Sequence, residues 1–249
     1  MDADFLRALG EGLAHDLEVG HGSGNRLVEA CVEATQVTGA GIMLMVDGEH
    51  RGTLSTSDAA IAVVEELQFT LGEGPCVDTC TTGRPVLEAN LRHPEQVRWQ
   101  GLSGPALDAG VEAIFGFPLT VGTLRIGALD LYSDRPRPLS PAQFANALDM
   151  ADIVAHTILE LQAHAAPGAL AGELEAATGL RMVVHQAAGM LAVQLDISVA
   201  DALSTIRAHA FSTAIPIDRV GRSIVNRELR LGDESGSGEG IDNQGKRPV

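Results

Sequence analysis

Apolar and polar positions recur along the chain with two different periods, and each change of period marks a predicted element. In residues 25–38 the apolar side chains recur every three or four positions, at Leu27, Cys31, Ala34 and Val37. This spacing predicts a helix that ends at Gly39. Alternation follows in AGIMLMVDGEHRGTLSTS and predicts two strands joined by a tight turn at Asp47–Gly48.

The remaining pattern up to residue 165 predicts a domain of mixed helices and strands. It indicates a helix from Asp58 to Leu67, a strand at Pro85–Ala89, a helix from Pro94 to Asp108 that is broken at GLSGP, two strands around Gly122–Thr123, and a helix from Pro141 to His164. The Gly-, Thr- and Pro-rich segment before Pro85 is typical of a loop. We therefore predict an α+β fold, an antiparallel sheet with packed helices, over residues 21–165, after an N-terminal segment of residues 1–20.

A second, all-α domain of three helices is predicted over residues 170–231. The helices run from Arg181 to Leu195, from Ser198 to Thr213 and from Pro216 to Leu229. Ser198, with Asp201 three positions later, is typical of a helix N-cap. Gly189 interrupts an alanine-rich helix and indicates that another helix crosses closely there. Residues 232–249 are predicted to form a disordered acidic tail.

Charge is distributed unevenly between these domains. The formal net charge of −16 argues against unselective attraction to nucleic acid or to anionic membranes. Residues 1–169 carry 9 basic and 23 acidic side chains, whereas residues 170–231 carry 6 of each. Four arginines crowd at the end of the second domain, at Arg219, Arg222, Arg227 and Arg230. The second domain is therefore the part of the chain suited to contact phosphate, through arginine rather than lysine.

The N-terminal sequence MDADFLRALGEG has neither the basic nor the apolar region of a secretion signal. No apolar run in the sequence approaches the length of a membrane span. The three cysteines are an odd number, and we expect them to be reduced thiols. These features predict a cytoplasmic protein without membrane contact.

Two regions of the chain resemble known families. RMVVHQAAGMLAVQLDISVADALSTIRAHA, followed by IDRVGRSIVNREL, resembles the ANTAR domain, an RNA-binding output module of bacterial transcription antiterminators, over about residues 174–231. LGEGPCVDTCTTGRPV and GFPLTVGTLRIGALDLYS resemble the GAF sensor domains that are joined to ANTAR domains in actinobacteria. Ala188 departs from the pattern, because ANTAR domains often have a lysine there that is a candidate phosphate contact.

The resemblance implies a signal-responsive homodimer that binds paired RNA hairpins and prevents transcription termination. It leaves the signal at the GAF domain unknown, either a small molecule or a protein. We expect neither a cofactor nor an enzymatic activity. Two alternatives stay open. Some GAF domains are cysteine-dependent methionine sulfoxide reductases, and the helical domain could serve only for dimerisation or protein docking.

The candidate RNA-binding residues follow from the ANTAR resemblance and from the arginine cluster. Side chains with planar or hydrogen-bonding groups contact unpaired bases, and arginines along a helix track phosphates. The candidates are Arg181, His185, Gln186, Arg207, His209, Arg219, Arg222, Asn226 and Arg230. Positions 219, 222, 226 and 230 are predicted to share one face of the third helix. The alternative is a solvated helix surface, with Arg207 paired to Asp201 or Asp218.

The candidate ligand-binding residues of the GAF domain are apolar or carry sulfur. They are Met43, Met45, Phe69, Cys76 and Cys80. Met43 and Met45 share one face of a strand and could line a pocket. Cys76 and Cys80 lie four residues apart, which fits a redox pair or a ligand contact, and the alternative for these residues is core filling. No second Cys or His pair has the spacing of a zinc site, so no metal is predicted.

The helix over residues 141–164 is the predicted connector between the two domains. Its apolar residues follow alternating steps of four and three, at Phe144, Leu148, Ala151, Ala155 and Ile158. A heptad seam of this length either packs on the sheet or pairs with a second subunit. We expect a dimer in which a ligand at the GAF domain shifts the connector between two states.

Overall fold

A computed structural model describes residues 23–46, 49–93, 98–163 and 172–232. The chain divides into two compact units between Val183 and Val184. Three predicted features lie outside the described residues: the N-terminal segment of residues 1–20, the hairpin turn at Asp47–Gly48, and residues 233–249 of the tail.

The N-terminal unit is built on an antiparallel five-stranded sheet. In chain order its elements are α1 (Ser23–Thr35), β1 (Gly39–Val46), β2 (Glu49–Thr56), α2 (Ala59–Leu71), α3 (Pro75–Thr82), β3 (Val86–Glu88), α4 (Gln100–Asp108), β4 (Ala113–Val121), β5 (Leu124–Ser133) and α5 (Pro141–Ala163). The strands lie in the order β2-β1-β5-β4-β3, and each described neighbouring pair is antiparallel. The predicted α+β fold and its two hairpins are confirmed.

One face of this sheet carries the larger apolar core, because alternate residues of each strand point to the same side. The buried strand residues of this core include Ile42, Leu44, Phe115, Phe117, Leu119, Leu129 and Leu131. α5 contributes Ala147, Met150, Ala151, Val154, Ala155 and Ile158 to the same core. The rings of Phe144 and Phe117 lie 5.6 Å apart. Four of the five seam residues of α5 therefore pack on the sheet, whereas Leu148 is 40% exposed. Pairing with a second subunit stays a prediction.

Local signals set the ends of the first two helices. α1 ends at Thr35 rather than at the predicted residue 38, because Gln36 adopts a φ of 55°. Asp58 caps α2, since its Oδ1 accepts hydrogen bonds of 2.8 and 3.1 Å from two N–H groups of the first turn. α2 then continues to Leu71, one turn further than predicted.

The next two helices differ more from the predictions. α3 occupies part of the segment predicted as a loop. Pro75 opens it and Gly83 closes it in the left-handed conformation, and both are ordinary helix signals that the surrounding composition masked. α4 begins at Gln100 instead of Pro94 and continues without a break through GLSGP. Glu73 stabilises this start by accepting hydrogen bonds of 2.7 and 3.1 Å from two N–H groups of the first turn.

The C-terminal unit contains the end of α6 (Gly172–Leu195), together with α7 (Val199–Thr213) and α8 (Ile217–Val225). Its buried apolar residues include Val184, Ala187, Ala188, Leu191, Ala202, Ile206, Ala210, Ile217, Val220 and Ile224. Ser198 caps α7 as predicted, because its Oγ accepts a hydrogen bond of 3.1 Å from the N–H of Asp201.

Three predictions about these helices are wrong. α6 begins at Gly172 rather than at Arg181. α8 ends at Val225 and not at Leu229, because the chain leaves the helix after the cap at Asn226. A Cβ at Gly189 would meet no heavy atom within 4 Å in the described part of the chain, so Gly189 does not mark a close helix crossing.

Among the described residues, no single helix has both the length and the apolar character needed to span a membrane. The segments Met182–Leu195 and Val199–Thr213, bent by 110° at their junction, reach that length and composition only when taken together.

Candidate ligand site

The second face of the sheet carries small and polar residues at its centre. Asp130 of β5 lies between Gly41 of β1 and Gly116 of β4 in the strand register. A Cβ at Gly41 would lie 2.5 Å from Glu65 Oε1, and a Cβ at Gly116 would lie 2.6 Å from Thr79 Oγ1. The two glycines therefore leave space in which side chains from α2 and α3 approach the sheet.

Hydrogen bonds join this sheet face to both helices. Gln68 Nε2 of α2 donates to Asp130 Oδ2 at 2.6 Å, and Gln68 Oε1 accepts from the N–H of Cys76 at 2.8 Å. Gln68 and Asp130 are both fully buried. Because a buried polar group is costly unless it is hydrogen-bonded, these two bonds hold the first turn of α3 against β5.

Glu65 supplies a second carboxyl group, one helical turn before Gln68, and it is 1% exposed. Its carboxyl group interacts with that of Asp130. Within the described residues, no N–H or hydroxyl group reaches Asp130 Oδ1. Two ionised carboxylates repel each other, so burial of both favours a form in which the pair holds one proton. Glu65, Gln68 and Asp130 are called the buried acid cluster below.

Burial dominates the ionisation of this cluster. It raises the pKa of Asp130 to about 7, although hydrogen bonds with Gln68 and Glu65 act in the opposite direction. Burial also raises the pKa of the Cys76 thiol well above its ordinary value, and the hydrogen bond with Cys80 and the nearby carboxyl groups raise it further. Near neutral pH, the acid pair therefore retains a proton in a large fraction of molecules, and Cys76 stays a neutral thiol.

Four of the five predicted ligand-binding residues lie together. Met43, Met45, Cys76 and Cys80 form one buried cluster with Ala128. Phe69 is buried on α2. All five have the burial that core filling requires, and their contact with a ligand stays a prediction. In the ranges that the structure describes, no group of three or more His, Cys, Asp or Glu side chains is placed to hold a metal ion.

A cleft of about 370 Å³ lies between α1, β2 and α2. Its lining residues are Asn25, Thr53, Leu54, Ser55, Thr56, Ala62, Glu65 and Glu66. Ser55 Oγ donates to Asn25 Oδ1 at 2.9 Å, which joins β2 to α1. Glu65 belongs both to this cleft and to the buried acid cluster. A molecule in the cleft would therefore contact a carboxyl group that shares a proton with Asp130.

The buried acid cluster is absent from the sequence-based predictions, although the sequence carries a signal for it. Glu65 and Gln68 lie at helical spacing from Ile61, so they fall on the face of α2 that packs inward. Asp130 follows Ala128 by two positions in β5, at a place where alternation predicts an apolar residue facing the core. The sequence signal for the cluster is therefore the presence of polar residues on α2 and β5 at positions where the pattern predicts apolar ones.

α3 is tied to its surroundings at both ends. In its first turn, Asp78 Oδ2 accepts hydrogen bonds from Arg98 Nη2 at 2.6 Å and from Trp99 Nε1 at 3.1 Å. In its last turn, Arg125 Nη1 donates to two backbone carbonyl groups at 2.9 Å. Trp99 is the only tryptophan of the chain and is 6% exposed. Its fluorescence therefore reports on the packing around α3.

The predicted RNA-binding residues lie on α6, α7, α8 and the segment that follows α8. Gln186, Arg219, Arg222, Asn226 and Arg230 are exposed, whereas His185, Arg207 and His209 are half-buried. The backbone of Arg181 lies in α6, and its side chain lies outside the described part of the structure. Whether these residues bind RNA stays a prediction.

The end of α8 changes the expected arrangement of the arginines. Arg219 and Arg222 share a face of the helix, and Arg222 forms an ion pair with Asp218. Asn226 is the C-cap, and Arg230 lies beyond the helix. The prediction that positions 219, 222, 226 and 230 share one helix face is therefore wrong, because the helical geometry ends at residue 225.

The relatives of the N-terminal unit follow from a comparison with known families. The family model described as the GAF domain matches residues 24–159, more than half of the chain. The chain belongs to the GAF domain family. The matched region includes all five strands of the sheet, the buried acid cluster and the cleft. The predicted GAF domain is confirmed, whereas the ANTAR domain stays a prediction.

Several solved structures are similar to the chain at low identity. The GAF domains of phosphoenolpyruvate-protein phosphotransferases from Coxiella burnetii and Acinetobacter are 15% and 14% identical, with TM-scores of 0.46 and 0.47; each comparison covers 66% of this chain and 98% of the other. The free methionine-R-sulfoxide reductase from Neisseria meningitidis is 14% identical, with a TM-score of 0.40, and the comparison covers 64% of this chain and 92% of the reductase. No curated protein matches the chain.

Proposed function

We propose that this protein regulates transcription antitermination, with a GAF domain that senses a signal and an ANTAR-like C-terminal unit that binds hairpin RNA. The observation that carries the proposal is a group of exposed arginines on and after α8, at Arg219, Arg222, Arg227 and Arg230. They occur where residues 170–231 have as many basic as acidic side chains, in a chain of net charge −16. The ANTAR resemblance over about residues 174–231 supports the same function.

Arginine chemistry suits contact with an RNA backbone. A guanidinium group binds phosphate through two parallel hydrogen bonds, and two arginines on one helix face reach neighbouring phosphates. Asp218 holds Arg222 in the free protein, so phosphate would compete with this carboxylate for the guanidinium group. In the proposed dimer, a signal acts by binding two conformations with different affinity, which changes how the two C-terminal units meet paired hairpins.

Binding of a two-hairpin RNA to the full chain across a salt series tests this proposal. We expect binding that is selective over a scrambled RNA, with log affinity falling linearly with log salt concentration. Replacing Arg219 and Arg222 by Ala is expected to weaken binding by at least about tenfold and to reduce the salt slope by about 1 to 2. Fluorescence anisotropy of the labelled RNA measures both quantities.

The matched control replaces Arg84 and Arg135, two exposed arginines of the GAF domain, by Ala and removes the same charge. This variant is expected to keep the affinity and the salt slope of the parent chain. Equal losses in the two double variants would indicate bulk electrostatics rather than a site. Absence of selective binding by the parent chain at low salt would contradict RNA recognition.

Exposed apolar side chains favour docking as a second candidate function for the C-terminal unit. Val193 is 86% exposed and Phe211 is 55% exposed. A unit that serves only for dimerisation predicts unchanged RNA affinity when Arg219 and Arg222 are replaced. It also predicts that Val193→Asp or Phe211→Asp reduces self-association in analytical ultracentrifugation.

The chemistry of the thiols argues against the reductase alternative. Cys31, Cys76 and Cys80 are buried thiols that form no disulfide. Burial raises the pKa of Cys31 to about 12 and that of Cys76 well above its ordinary value. Because the thiolate is the reactive form, these shifts oppose cysteine catalysis. We therefore propose no enzymatic activity for the GAF domain.

The reactivity of the thiols tests whether burial makes them unreactive in the folded protein. We expect the thiols of the folded protein to react with a chromogenic disulfide reagent at neutral pH roughly a hundredfold more slowly than those of the unfolded chain. Absorbance after addition of the reagent, with and without guanidinium chloride, measures the ratio. A thiol of the folded protein that reacts at the unfolded rate would contradict the expectation. Turnover of a sulfoxide substrate that is lost in Cys76→Ser and Cys80→Ser would establish the enzyme instead.

A further inference from the structure

Glu65 lies at the boundary between the cleft and the buried acid cluster, and this position indicates what the cleft can bind. We propose that the cleft between α1, β2 and α2 binds a small molecule carrying an ammonium or guanidinium group, with Glu65 as its counter-ion. The inference rests on the sensing role proposed above for the GAF domain. It adds the place and the chemical class of the ligand, and it does not depend on RNA binding.

The lining of the cleft is rich in hydrogen-bond acceptors. Its described polar side chains are the carboxyl groups of Glu65 and Glu66, the amide of Asn25 and the hydroxyl groups of Thr53, Ser55 and Thr56. None of the described lining residues is Lys, Arg or His. The carboxyl groups of Glu65 and Glu66 would repel an anionic ligand. A cationic ligand would contact hydrogen-bond acceptors from α1, β2 and α2.

A cation in the cleft would change the charge state of the acid pair. A buried carboxyl group is stable when it is protonated or when it is paired with a positive charge. Without a ligand, burial raises the pKa of Asp130 to about 7 beside the carboxyl group of Glu65, so the pair retains a proton near neutral pH. An ammonium group on the cleft side would add a positive charge beside Glu65, so the carboxyl pair would release its proton to solvent as the cation binds.

The hydrogen bonds of the buried acid cluster connect the loss of this proton to α3. Asp130 accepts from Gln68, and Gln68 accepts from the N–H of Cys76 at the start of α3. A hydrogen bond to an ionised carboxylate is stronger than one to a neutral carboxyl group. Ionisation of Asp130 would therefore tighten the link to α3. Trp99, which donates to the first turn of α3, would report the change.

The volume of the cleft limits the size of the ligand. About 370 Å³ corresponds to about a dozen water molecules, at the small end of the range for ligand pockets. Cadaverine, a diamine, and agmatine, which carries one ammonium and one guanidinium group, have this scale and serve as probes. Ala62 lines the cleft and is exposed, so a longer side chain there would narrow the cleft from its solvent side.

Thermal unfolding of the full chain, followed by Trp99 fluorescence, tests the inference with probes of matched length. Cadaverine is the cation, pentanediol the neutral analogue and glutarate the anion. At about 10 mM we expect cadaverine and agmatine to raise the Tm by about 3 °C, and pentanediol and glutarate to leave it unchanged. Calorimetric titration with cadaverine near neutral pH, in buffers of different ionisation enthalpy, is expected to show net proton release.

Two variants test the site, one through the charge of Glu65 and the other through the volume of the cleft. Glu65→Gln removes the counter-ion and keeps its shape, whereas Ala62→Leu narrows the cleft and leaves the acid cluster unchanged. We expect both to abolish the Tm shift with cadaverine. Glu29→Gln, which removes an exposed carboxylate from α1, is expected to keep the shift. Ala62→Leu keeps the inference testable if Glu65→Gln fails to fold.

Two results would overturn the inference: no cation-dependent Tm shift in the parent chain, or a shift that persists in the Ala62→Leu variant. The failure of this inference is distinguishable from failure of the proposed output. Selective RNA binding without a cation-dependent shift would reject only the ligand class. A cation-dependent shift in a chain that does not bind RNA would reject only the RNA-binding function.

Discussion

Replacing Asp130 by Asn is expected to stabilise the GAF domain above about pH 7 and to remove most of the pH dependence of its free energy of unfolding between about pH 4 and 7. Burial raises the pKa of Asp130 to about 7 in the folded chain, whereas the ordinary value of 3.8 applies when the chain is unfolded. The folded state therefore binds the proton more tightly. The resulting stabilisation is fully present below about pH 4 and is lost as the pH rises towards 7.

The magnitude follows from the size of the shift. About three pKa units correspond to about 4 kcal/mol, and we expect about 2 kcal/mol to be measured, because the proton is shared with Glu65. Glu65 of α2 and Cys76 of α3 are the described titratable groups that interact with Asp130. Asn reproduces the protonated form, since its carbonyl oxygen accepts from Gln68 and its amino group donates to Glu65.

Urea unfolding at several pH values, followed by Trp99 fluorescence, measures this effect. Because the only tryptophan lies in the GAF domain, the signal reports on that domain. Asp149→Asn, an exposed position on α5, controls for the loss of one negative charge and is expected to keep the pH dependence of the parent chain. A variant Asp130→Asn that is less stable at every pH, or whose pH dependence is unchanged, would show that the pair holds no shared proton.

Gly127→Ala is expected to destabilise the GAF domain by about 3 kcal/mol, whereas the same substitution at Gly104 is expected to change its stability by less than about 1 kcal/mol. Gly127 lies on β5 and pairs with Leu44 of β1 and Leu119 of β4. A Cβ at this position would lie less than 3.0 Å from the backbone carbonyl oxygen of Met43. No side-chain rotation relieves this clash, because the opposing atom belongs to the backbone of the neighbouring strand.

Gly104 is the matched control because a side chain added there would extend into open space. It is exposed in α4, and a Cβ there would meet no heavy atom within 4 Å. Alanine loses less backbone entropy than glycine when a helix forms, whereas Pro105 disfavours the helical conformation of a preceding residue with a Cβ, so the two effects oppose each other. Urea unfolding followed by Trp99 fluorescence compares both variants in one domain. A loss below about 1 kcal/mol for Gly127→Ala, or an equal loss for Gly104→Ala, would contradict the steric argument.

Most of the GAF fold could be predicted from sequence because its signals are local. Asp47–Gly48 marks the first hairpin, alternation marks β4 and β5, and Pro141 marks the start of α5. Predictions failed where a local signal was hidden or where tertiary contacts set a boundary. α3 lies inside a loop-like composition, and the start of α4 depends on Glu73, which lies 28 residues from Gly101.

The candidate site could be predicted only in part, because some of its contacts join residues that lie far apart in the sequence. Met43 and Met45 share a strand face, and Cys76 and Cys80 share a helix face, so the sequence could group each pair. Gln68 and Asp130 are 62 residues apart, and their contact depends on how α2 packs on the sheet. The sequence shows polar residues on two apolar faces without showing that these faces meet.

The sequence by itself determined most of the helices and strands, the hairpins and the cap at Ser198, because each depends on residues within a few positions of one another. Only the tertiary structure decided that Asp130 lies between two glycines and beneath the carboxyl group of Glu65. Strand register and helix packing bring these groups together. Burial, which no single residue type specifies, then decides whether the acid pair keeps its proton.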